Sequence, residues 1–330
     1  MSEASHSELR VIDAIRSALD TELSRDPRVC IFGEDVTVGG PFGATNGLAE
    51  AYGVDRVVNT PISEATVMGL AIGAALAGRR PVVEIMFIDF ITLAMDQLVN
   101  HAAKLRYMSG GQLSVPLTIR AQGGATGAMG AQHSQSLEAW FMAVPGIKVV
   151  APSTAADAKG LLTAAIRDDD PVLFLEHRGL YWSKGEVPDG EYSLPLGEAV
   201  VRRPGRDATV VAWSAMVAKA IQAAEDLAGA GIEVEVIDLR SLVPLDLETI
   251  VASVRRTGRL VVAHEAVEQG GPGGEILAAV STAAGAALTA PGVRVGAPST
   301  PVPAAADLEA LFVPSAEKIA AAVRRVMGRS

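Results

Sequence analysis

Short apolar runs typical of buried β-strands alternate along this chain with longer stretches that have a helical pattern. Two of the helical stretches are LAMDQLVNHAAKLRYM (93–108) and AADAKGLLTAAIRD (155–168). The predicted strands of this first series lie at 28–35, 81–90, 115–122, 147–153 and 171–178. Strands that alternate with helices in this way favour a mostly parallel sheet with helices on both faces.

A second alternation follows a stretch of Gly, Pro and mixed polarity that breaks the rhythm. We therefore predict two α/β domains, at 1–180 and 207–330, joined by a linker at 181–206. The second series contains predicted strands at 208–214, 233–239, 259–265 and 293–298, and predicted helices near 216–229, 246–256, 274–287 and 315–327. Each domain is expected to have its own parallel sheet.

Composition excludes several classes of protein. A net charge of -10 argues against a nucleic-acid binder, because phosphate contacts need clustered Lys and Arg. Cys30 is the only cysteine, so neither a disulfide nor an iron–sulfur cluster can be built within the chain. The first ten residues, MSEASHSELR, lack an apolar signal core, and no apolar run reaches membrane-spanning length. A soluble cytoplasmic protein with no membrane partner is expected.

Common nucleotide-binding and hydrolase motifs are missing. The sequence has no GxGxxG after a strand, no GxxxxGK[ST] and no GxSxG. The cluster QGGPGGE (269–275) could bind an anion at a helix start, but a tight strand–helix turn that only glycine can make is the favoured interpretation. His133, in the loop GAQHSQS (130–136), is either held by loop hydrogen bonds or functional, and the residues alone do not decide.

The stretch NTPISEATVMGLAIGAALAG (59–78) is small and apolar except for one carboxylate, Glu64. Ser63 is a plausible N-cap with Glu64 as the first helical residue, where an acid offsets the helix dipole by about 0.3–1 kcal/mol. Ile62 and Val67 could form a hydrophobic staple. Among such neighbours the carboxylate would be partly desolvated, and an acid in that environment suits acid–base work.

This stretch resembles the start of the pyrimidine-binding domain of thiamine-diphosphate enzymes of the transketolase superfamily. The closer resemblance is to the β subunit of the decarboxylating component of 2-oxo acid dehydrogenase complexes, and it covers nearly the whole chain. It implies a transketolase-like pyrimidine-binding domain followed by a transketolase C-terminal-like domain. Further stretches that carry it are GED (33–35), EIMFIDF (84–90), DQLVNHAAKLRYMSGG (96–111), AQHSQS (131–136), PGIKVVAPST (145–154), AAIRDDDPVLFLE (164–176), VIDLRSLVPLD (236–246) and VVAHEA (261–266).

The resemblance implies roles for individual residues. Glu64 matches the glutamate that hydrogen-bonds N1′ of the cofactor's aminopyrimidine, which favours the imino tautomer that deprotonates the thiazolium carbon. The resulting ylide attacks a substrate carbonyl, and the thiazolium then acts as an electron sink. Ile62, Met86 and Phe90 match positions that contact the aminopyrimidine ring, although ordinary core packing also explains them. His133 matches an active-site histidine that faces the reacting carbon and the incoming lipoyl group.

Metal sites and partners are also implied. Leu117, Ala165, Ile166, Asp168 and Asp170 match a potassium site built mostly from backbone carbonyls, although the family often has Asn at the position of Asp170. The Mg²⁺ that holds the diphosphate is bound in the superfamily by GDG and a downstream Asn, which are absent here. A separate α subunit should supply that motif, in a heterotetramer of two α and two β subunits. A lipoyl-bearing acyltransferase core component is the further partner that the family implies.

The substrate stays open between acetoin, pyruvate and branched-chain 2-oxo acids, although KGEVPDGEYSLPLG (184–197) looks most like acetoin dehydrogenase β subunits. A non-catalytic binding or regulatory member of the family is the main alternative, which the presence of both Glu64 and His133 disfavours. The missing GDG motif disfavours a single-chain transketolase. The lack of cysteine clusters disfavours a ferredoxin-linked oxidoreductase.

Overall fold

A computed structural model describes residues 5–328 of the chain. Residues 1–4, part of the polar N-terminal stretch considered above, lie outside the described residues. The chain forms two compact units: unit 1 runs to Gly123 and resumes over Trp140–Leu196, and unit 2 comprises Gly124–Ala139 and the chain from Gly197 onward. The sequence analysis predicted a single linker between the domains, at 181–206. It did not predict that the internal segment Gly124–Ala139 belongs to unit 2.

Unit 1 contains a parallel sheet. Six of its strands lie side by side in the order β6-β7-β5-β4-β2-β3, and the registers of all neighbouring pairs are parallel. A separate antiparallel pair joins β1 to β8. The strands are β1 His6–Arg10, β2 Val29–Gly33, β3 Val57–Asn59, β4 Arg80–Ile85, β5 Thr118–Gly123, β6 Lys148–Val150, β7 Val172–His177 and β8 Lys184–Pro188. β2 and β4 are buried along their whole length, as expected for strands covered on both faces.

Helices cover the sheet of unit 1. Helices α1 and α6 pack against each other, and their apolar faces join β2 and β7 in one buried cluster. Thr154 caps α6 by accepting a hydrogen bond from the backbone N–H of Asp157 at 3.1 Å. The α-helices are α1 Val11–Arg25, α2 Leu48–Tyr52, α3 Glu64–Leu76, α4 Leu105–Met108 and α6 Ala155–Arg167, while α5, Glu138–Met142, carries the chain from unit 2 back into unit 1.

The helix predicted at 93–108 is not one α-helix. The structure has a 3₁₀ helix at Ile88–Ala94, a π-helix at Gln97–Ala102 and the short α4. The apolar spacing of the sequence identifies the buried residues, such as Leu98 and Ala102. That spacing does not choose between i→i+4 and i→i+5 hydrogen bonds, so it could not predict this break.

Unit 2 contains the second sheet, in the order β14-β13-β10-β11-β9. Its first four strands are parallel, and β9 pairs antiparallel to β11 at the edge. The strands are β9 Val200–Arg203, β10 Ala208–Ala212, β11 Val234–Asp238, β12 Ser241–Val243, β13 Leu260–Val267 and β14 Val293–Ala297. The prediction of two α/β units with mostly parallel sheets is confirmed.

Helices α7 and α11 pack together against β10 and β13 and build the core of unit 2. Local signals in the sequence explain where two of its helices begin. Asp246 caps α8 by accepting from the N–H of Thr249 at 3.0 Å, and Ser315 caps α11 by accepting from the N–H of Lys318 at 3.3 Å. The helices are α7 Met216–Ala228, α8 Leu247–Thr257, α9 Pro272–Ala284, α10 Ala306–Phe312 and α11 Ala316–Val326. Across residues 5–328, no helix combines the length and the apolar character needed to span a bilayer.

Candidate active site

The carboxyl ends of three adjacent strands of unit 1 bring several predicted site residues to one edge of the sheet. Strand β2 lies between β4 and β3, and Gly33 at its end is in register with Asn59 and Glu84. Glu34 therefore follows β2, Glu64 follows β3 after a four-residue loop, and Met86 follows β4. In open parallel sheets, ligands bind in the crevice outside the carboxyl ends of the strands.

Glu64 is the first residue of α3 and is half-buried. Ser63 occupies the N-cap position as predicted, but its hydroxyl donates to Thr66 Oγ1 at 2.7 Å instead of capping a backbone N–H. The proposed staple is absent, because Val67 is buried while Ile62 is 74 % exposed. An exposed isoleucine beside a half-buried carboxylate gives this surface one apolar contact and one hydrogen-bond acceptor.

Glu34 is a second carboxylate at this edge, and the sequence analysis did not single it out. Partial burial raises the pKa of Glu34, and the negative charges of Asp35 and Glu64 add to that shift. Asp35 has a left-handed backbone, φ 56°, which is uncommon for a residue other than glycine. The signal available in the sequence was the acidic pair that directly ends a buried strand, Glu34 and Asp35.

Met86 and Phe90, the other predicted ring contacts, are both half-buried. Phe90 makes an edge-on contact with Phe87, with ring centroids 5.7 Å apart, and the guanidinium of Arg178 lies 5.5 Å from the Phe87 ring. Their partly exposed apolar surfaces fit a planar heteroaromatic ring, which is the kind of group that Ile62 and Glu64 can also hold.

A buried charged network lies on the same sheet. Arg120 on β5 donates to Glu84 on β4 at 2.6 Å and, through two nitrogens, to Glu176 on β7 at 2.6 and 3.0 Å. The hydroxyl of Tyr181 donates to Glu176 at 2.6 Å. A cavity of about 10 Å³, lined by these four residues and by Met86, lies beside them. Sequence reasoning missed the network because its charges come from three strands far apart in the chain.

The network holds two acids and one base in a buried site. Burial raises the pKa of Glu84, against the opposing charge of Arg120, and Glu176 raises it further. Burial works against the charge of Arg120, but Glu176 and Glu84 outweigh it and raise the pKa of its guanidinium. Burial also raises the pKa of Tyr181. The arrangement favours a permanently charged Arg120 and a Glu84 that accepts a proton more readily than an ordinary glutamate.

His133 belongs to unit 2, in the segment Gly124–Ala139. It is half-buried, and its backbone N–H donates to the carbonyl of Gly130 at 3.4 Å. The neighbouring Ser134 is buried, and its hydroxyl has no hydrogen-bond partner within residues 5–328. Glu64 therefore lies in unit 1 and His133 in unit 2.

The predicted potassium ligands lie close to the chain's own cations. Arg80 donates from Nε to the carbonyl of Ile166 at 2.8 Å and from Nη2 to the carbonyl of Asp168 at 2.5 Å. The carbonyl of Leu117 accepts from the N–H of Val172 at 2.9 Å. Each of these oxygens keeps a second lone pair, so the donor type still fits K⁺.

The side chains of the same cluster are paired as well. Lys148 contacts the Asp168 carboxylate at 2.5 Å, and Arg106 contacts that of Asp170 at 2.5 Å. The carbonyl of Ala165 accepts from the N–H of Asp168 at 3.3 Å. Among residues 5–328, no group of three or more His, Cys, Asp or Glu side chains is placed to hold a metal ion. A cation here would depend on backbone oxygens.

Two family profiles match the chain, one in each half. The pyrimidine-binding domain of transketolase matches residues 7–183, and the C-terminal domain of transketolase matches residues 197–319. Among solved structures, one titled as a split-gene transketolase in an inactive β4 tetramer superposes with a TM-score of 0.77 over 97 % of this chain and 98 % of that one. At 24 % identity, that likeness supports the fold alone.

Curated relatives are more similar in sequence. The β subunit of acetoin:2,6-dichlorophenolindophenol oxidoreductase from Cupriavidus necator is 48 % identical, over 95 % of this chain and 96 % of the relative. The mitochondrial pyruvate dehydrogenase E1 component subunit β-1 from Arabidopsis thaliana is 48 % identical, over 98 % and 90 %. The pyruvate dehydrogenase E1 component subunit β from Bacillus subtilis is 45 % identical, over 97 % and 99 %.

Proposed function

This chain belongs to the transketolase family, among the β subunits of 2-oxo acid and acetoin dehydrogenases, and we propose that it works as the catalytic β subunit of a thiamine-diphosphate-dependent enzyme of that kind. The enzyme cleaves or decarboxylates its substrate and passes the acyl group to lipoamide, acting together with an α subunit. The supporting observation is Glu64, a half-buried carboxylate at the carboxyl edge of a parallel sheet.

When bound, thiamine diphosphate supplies a thiazolium carbon that adds to carbonyl groups and stores the electron pair of the cleaved bond. Glu64 would accept the hydrogen bond of the pyrimidine N1′ and hold a proton there. The half-buried Met86 and Phe90 and the exposed Ile62 would contact the ring and exclude water. Partial burial raises the pKa of Glu34, which lies at the same sheet edge as Glu64, and the charges of Asp35 and Glu64 raise it further.

His133 is proposed as the hydrogen-bond donor or acid–base group that faces the substrate and the lipoyl group. An imidazole suits this role because one ring nitrogen can donate a proton while the other accepts one. His133 is half-buried, so the residue is in part accessible to a reactant.

The α subunit is the partner that completes the site. It is proposed to bind the Mg²⁺ and the diphosphate, in a heterotetramer of two α and two β subunits that delivers its product to a lipoyl-bearing acyltransferase core. A cytoplasmic location is part of the same proposal. A K⁺ ion is proposed as a structural element in unit 1, held mostly by the backbone carbonyls of Leu117, Ala165, Ile166, Asp168 and Asp170.

The substrate is proposed to be acetoin or a short 2-oxo acid. Relatives named for acetoin and for pyruvate are equally similar to this chain, at 48 % identity each, so identity alone does not separate these substrates. Lipoamide reduction by the reconstituted α–β enzyme with acetoin, pyruvate and branched-chain 2-oxo acids would rank them.

The decisive experiment is Glu64→Gln in the reconstituted enzyme. Glutamine keeps the size of the side chain but cannot hold the negative charge, so lipoamide reduction should be abolished while folding is unchanged. The matched control is Glu50→Gln, which removes an exposed acid from the first turn of α2. Full activity of Glu64→Gln, with thiamine diphosphate uptake confirmed by calorimetry, would refute the proposed role.

A further inference from the structure

The segment Gly124–Ala139 is the part of unit 2 that carries His133, and it lies far in sequence from the rest of that unit. Residues that precede His133 in this segment contact the later part of unit 2. Ala125 packs in an apolar cluster with Ala297, Val302, Phe312 and Val313. These contacts show that the loop has a defined place on unit 2.

Two glutamates add polar contacts to the same segment. The backbone N–H of Ala125 donates to Oε1 of Glu265, which follows His264 near the end of β13. The N–H of Ala128 donates to both carboxylate oxygens of Glu309 on α10, at 3.2 and 2.9 Å. Both glutamates are nearly buried, with 7 % and 8 % of their surfaces exposed.

Burying a carboxylate is unfavourable unless hydrogen bonds or charges compensate it. A hydrogen bond from an N–H to an ionised carboxylate is stronger than one between neutral groups. Lys219 contributes a positive charge near Glu265. Each of these two acids therefore holds a backbone N–H of the same loop, Glu265 that of Ala125 and Glu309 that of Ala128.

Ala128 has a backbone conformation that needs such support. Its φ is 55°, in the left-handed region where a side chain with a Cβ is disfavoured. Strained residues persist only where the surroundings hold them, and they cluster at functional sites. The carboxylate of Glu309 accepts a hydrogen bond from the N–H of Ala128, which lies five positions before His133.

We propose that Glu309 and Glu265 are positioning residues, which fix the loop Gly124–Ala139 so that His133 is presented in one orientation for the reaction. The inference rests on the proposed function, since it assigns His133 to the chemistry. Glu309 acts by holding Ala128 in its left-handed conformation, and Glu265 acts by anchoring the start of the loop at Ala125.

The test combines Glu309→Ala with Ala128→Gly in the full-length chain reconstituted with its α subunit. Glycine adopts a positive φ without strain, so Ala128→Gly should make the loop less dependent on Glu309. Hydrogen exchange of amides 124–130 reports on the loop without any reference to activity, and steady-state kinetics report on the reaction. Glu225→Ala, an exposed acid on α7, is the control for loss of a negative charge on unit 2.

Glu309→Ala should raise exchange at Ala128 by about 10-fold or more, the factor expected for one lost hydrogen bond to a charged group. We expect kcat to fall by a similar factor with little change in KM, and at least part of both effects to disappear in the double variant. Glu309→Gln, which keeps one acceptor oxygen, should be affected less, and it replaces the alanine variant if that one does not fold. Glu265→Gln should raise exchange at Ala125.

Unchanged exchange in Glu309→Ala and Glu309→Gln would overturn the proposal. Faster exchange with unchanged kcat would overturn it too, because the loop would then be anchored without serving the reaction. Additive effects in the double variant would refute the link between Glu309 and the strained Ala128. If instead Glu64→Gln keeps full activity, the proposed function fails, while the exchange results still report on the loop.

Discussion

At the scale of single residues, Arg120 is the clearest case of a charge whose removal should be costly. It is nearly inaccessible and is the only cation that contacts Glu84 and Glu176 in the described chain. Replacing one partner of a buried ion pair leaves uncompensated charge and costs about 3–5 kcal/mol. We expect Arg120→Met to lower the free energy of unfolding by about that amount, measured by chemical denaturation at pH 7.

A triple variant provides the control for this prediction. Arg120→Met combined with Glu84→Gln and Glu176→Gln removes all three charges, so no unpaired charge stays buried and part of the lost stability should return. A loss of less than about 1 kcal/mol in the single variant would contradict the assignment of these acids as charged partners of Arg120.

His264 should give stability a specific pH dependence. Its ring is fully buried against Trp213, with centroids 5.6 Å apart, and Nδ1 lies 2.9 Å from the carbonyl of Ala266. Burial lowers the pKa of His264 to about 4, the hydrogen bond to Ala266 opposes this, and the charge of Arg294 adds to it. The unfolded state, with an ordinary pKa near 6.5, therefore binds the proton more strongly than the folded state.

Folding stability should consequently fall as the pH drops from about 6.5 to about 4, by up to about 3 kcal/mol from this one group. Unfolding midpoints of the wild-type chain and of His264→Gln, measured at pH 7.5, 6 and 5, would check the prediction. The variant should lose part of the pH dependence in this range. Identical slopes for the two proteins would show that His264 does not contribute.

At the scale of the elements, helix α6 depends on a glycine that helix propensity alone would disfavour. A Cβ at Gly160 would lie 2.7 Å from side-chain atoms of both Tyr192 and Leu194, and the N–H of Leu194 donates to the Gly160 carbonyl at 3.0 Å. Overpacking of this kind costs about 1–3 kcal/mol. Gly160→Ala should therefore lower the denaturant midpoint, even though alanine favours a helix by about 1 kcal/mol.

Gly73→Ala on α3 is the matched comparison for this prediction. A Cβ at Gly73 meets no atom within 4 Å, and the residue has ordinary helical dihedrals. This substitution should raise stability by about 0.5–1 kcal/mol in the isolated chain. If Gly160→Ala raises the denaturant midpoint as Gly73→Ala is expected to do, close packing is not the reason that position 160 is a glycine.

The elements also show where sequence reasoning succeeds and where it stops. The strands β2 and β7 could be predicted because continuous apolar runs between turn signals are typical of buried parallel strands. The start of α3 at Glu64 lies where the sequence predicts it, although Ser63 makes no capping hydrogen bond there. The break between the 3₁₀ and π-helices could not, because it depends on tertiary packing that a pattern of apolar residues does not record.

At the scale of the whole molecule, the site could be predicted only as far as local motifs and family resemblance reach. Glu64 and His133 lie in recognisable stretches, and their roles remain predictions. To predict Glu34 and the Arg120 network, one must know which strands are neighbours. To predict the role of Glu309, one must know a contact between residues 181 positions apart. No pattern within one stretch of sequence contains such contacts.

Unit 1 also carries apolar side chains that the chain itself does not cover. Helix α3 is apolar on its outward face as well as on its buried face, with Leu70 49 % exposed, and Leu93 on the 3₁₀ helix packed against α3 is 61 % exposed. A helix that is apolar all round is normally buried. We therefore predict that Leu70 and Leu93 lie in the interface with the α subunit.

Leu70→Lys combined with Leu93→Lys should weaken α-subunit binding by about 100-fold or more, because each leucine contributes about 1.5–3 kcal/mol when fully buried. The stability of the isolated chain should change little, since both side chains are exposed there. Light scattering and titration of the two subunits would measure assembly. Val54→Lys, at an exposed turn after α2, is the control. Normal assembly of the double variant would show that Leu70 and Leu93 lie outside the α-subunit interface.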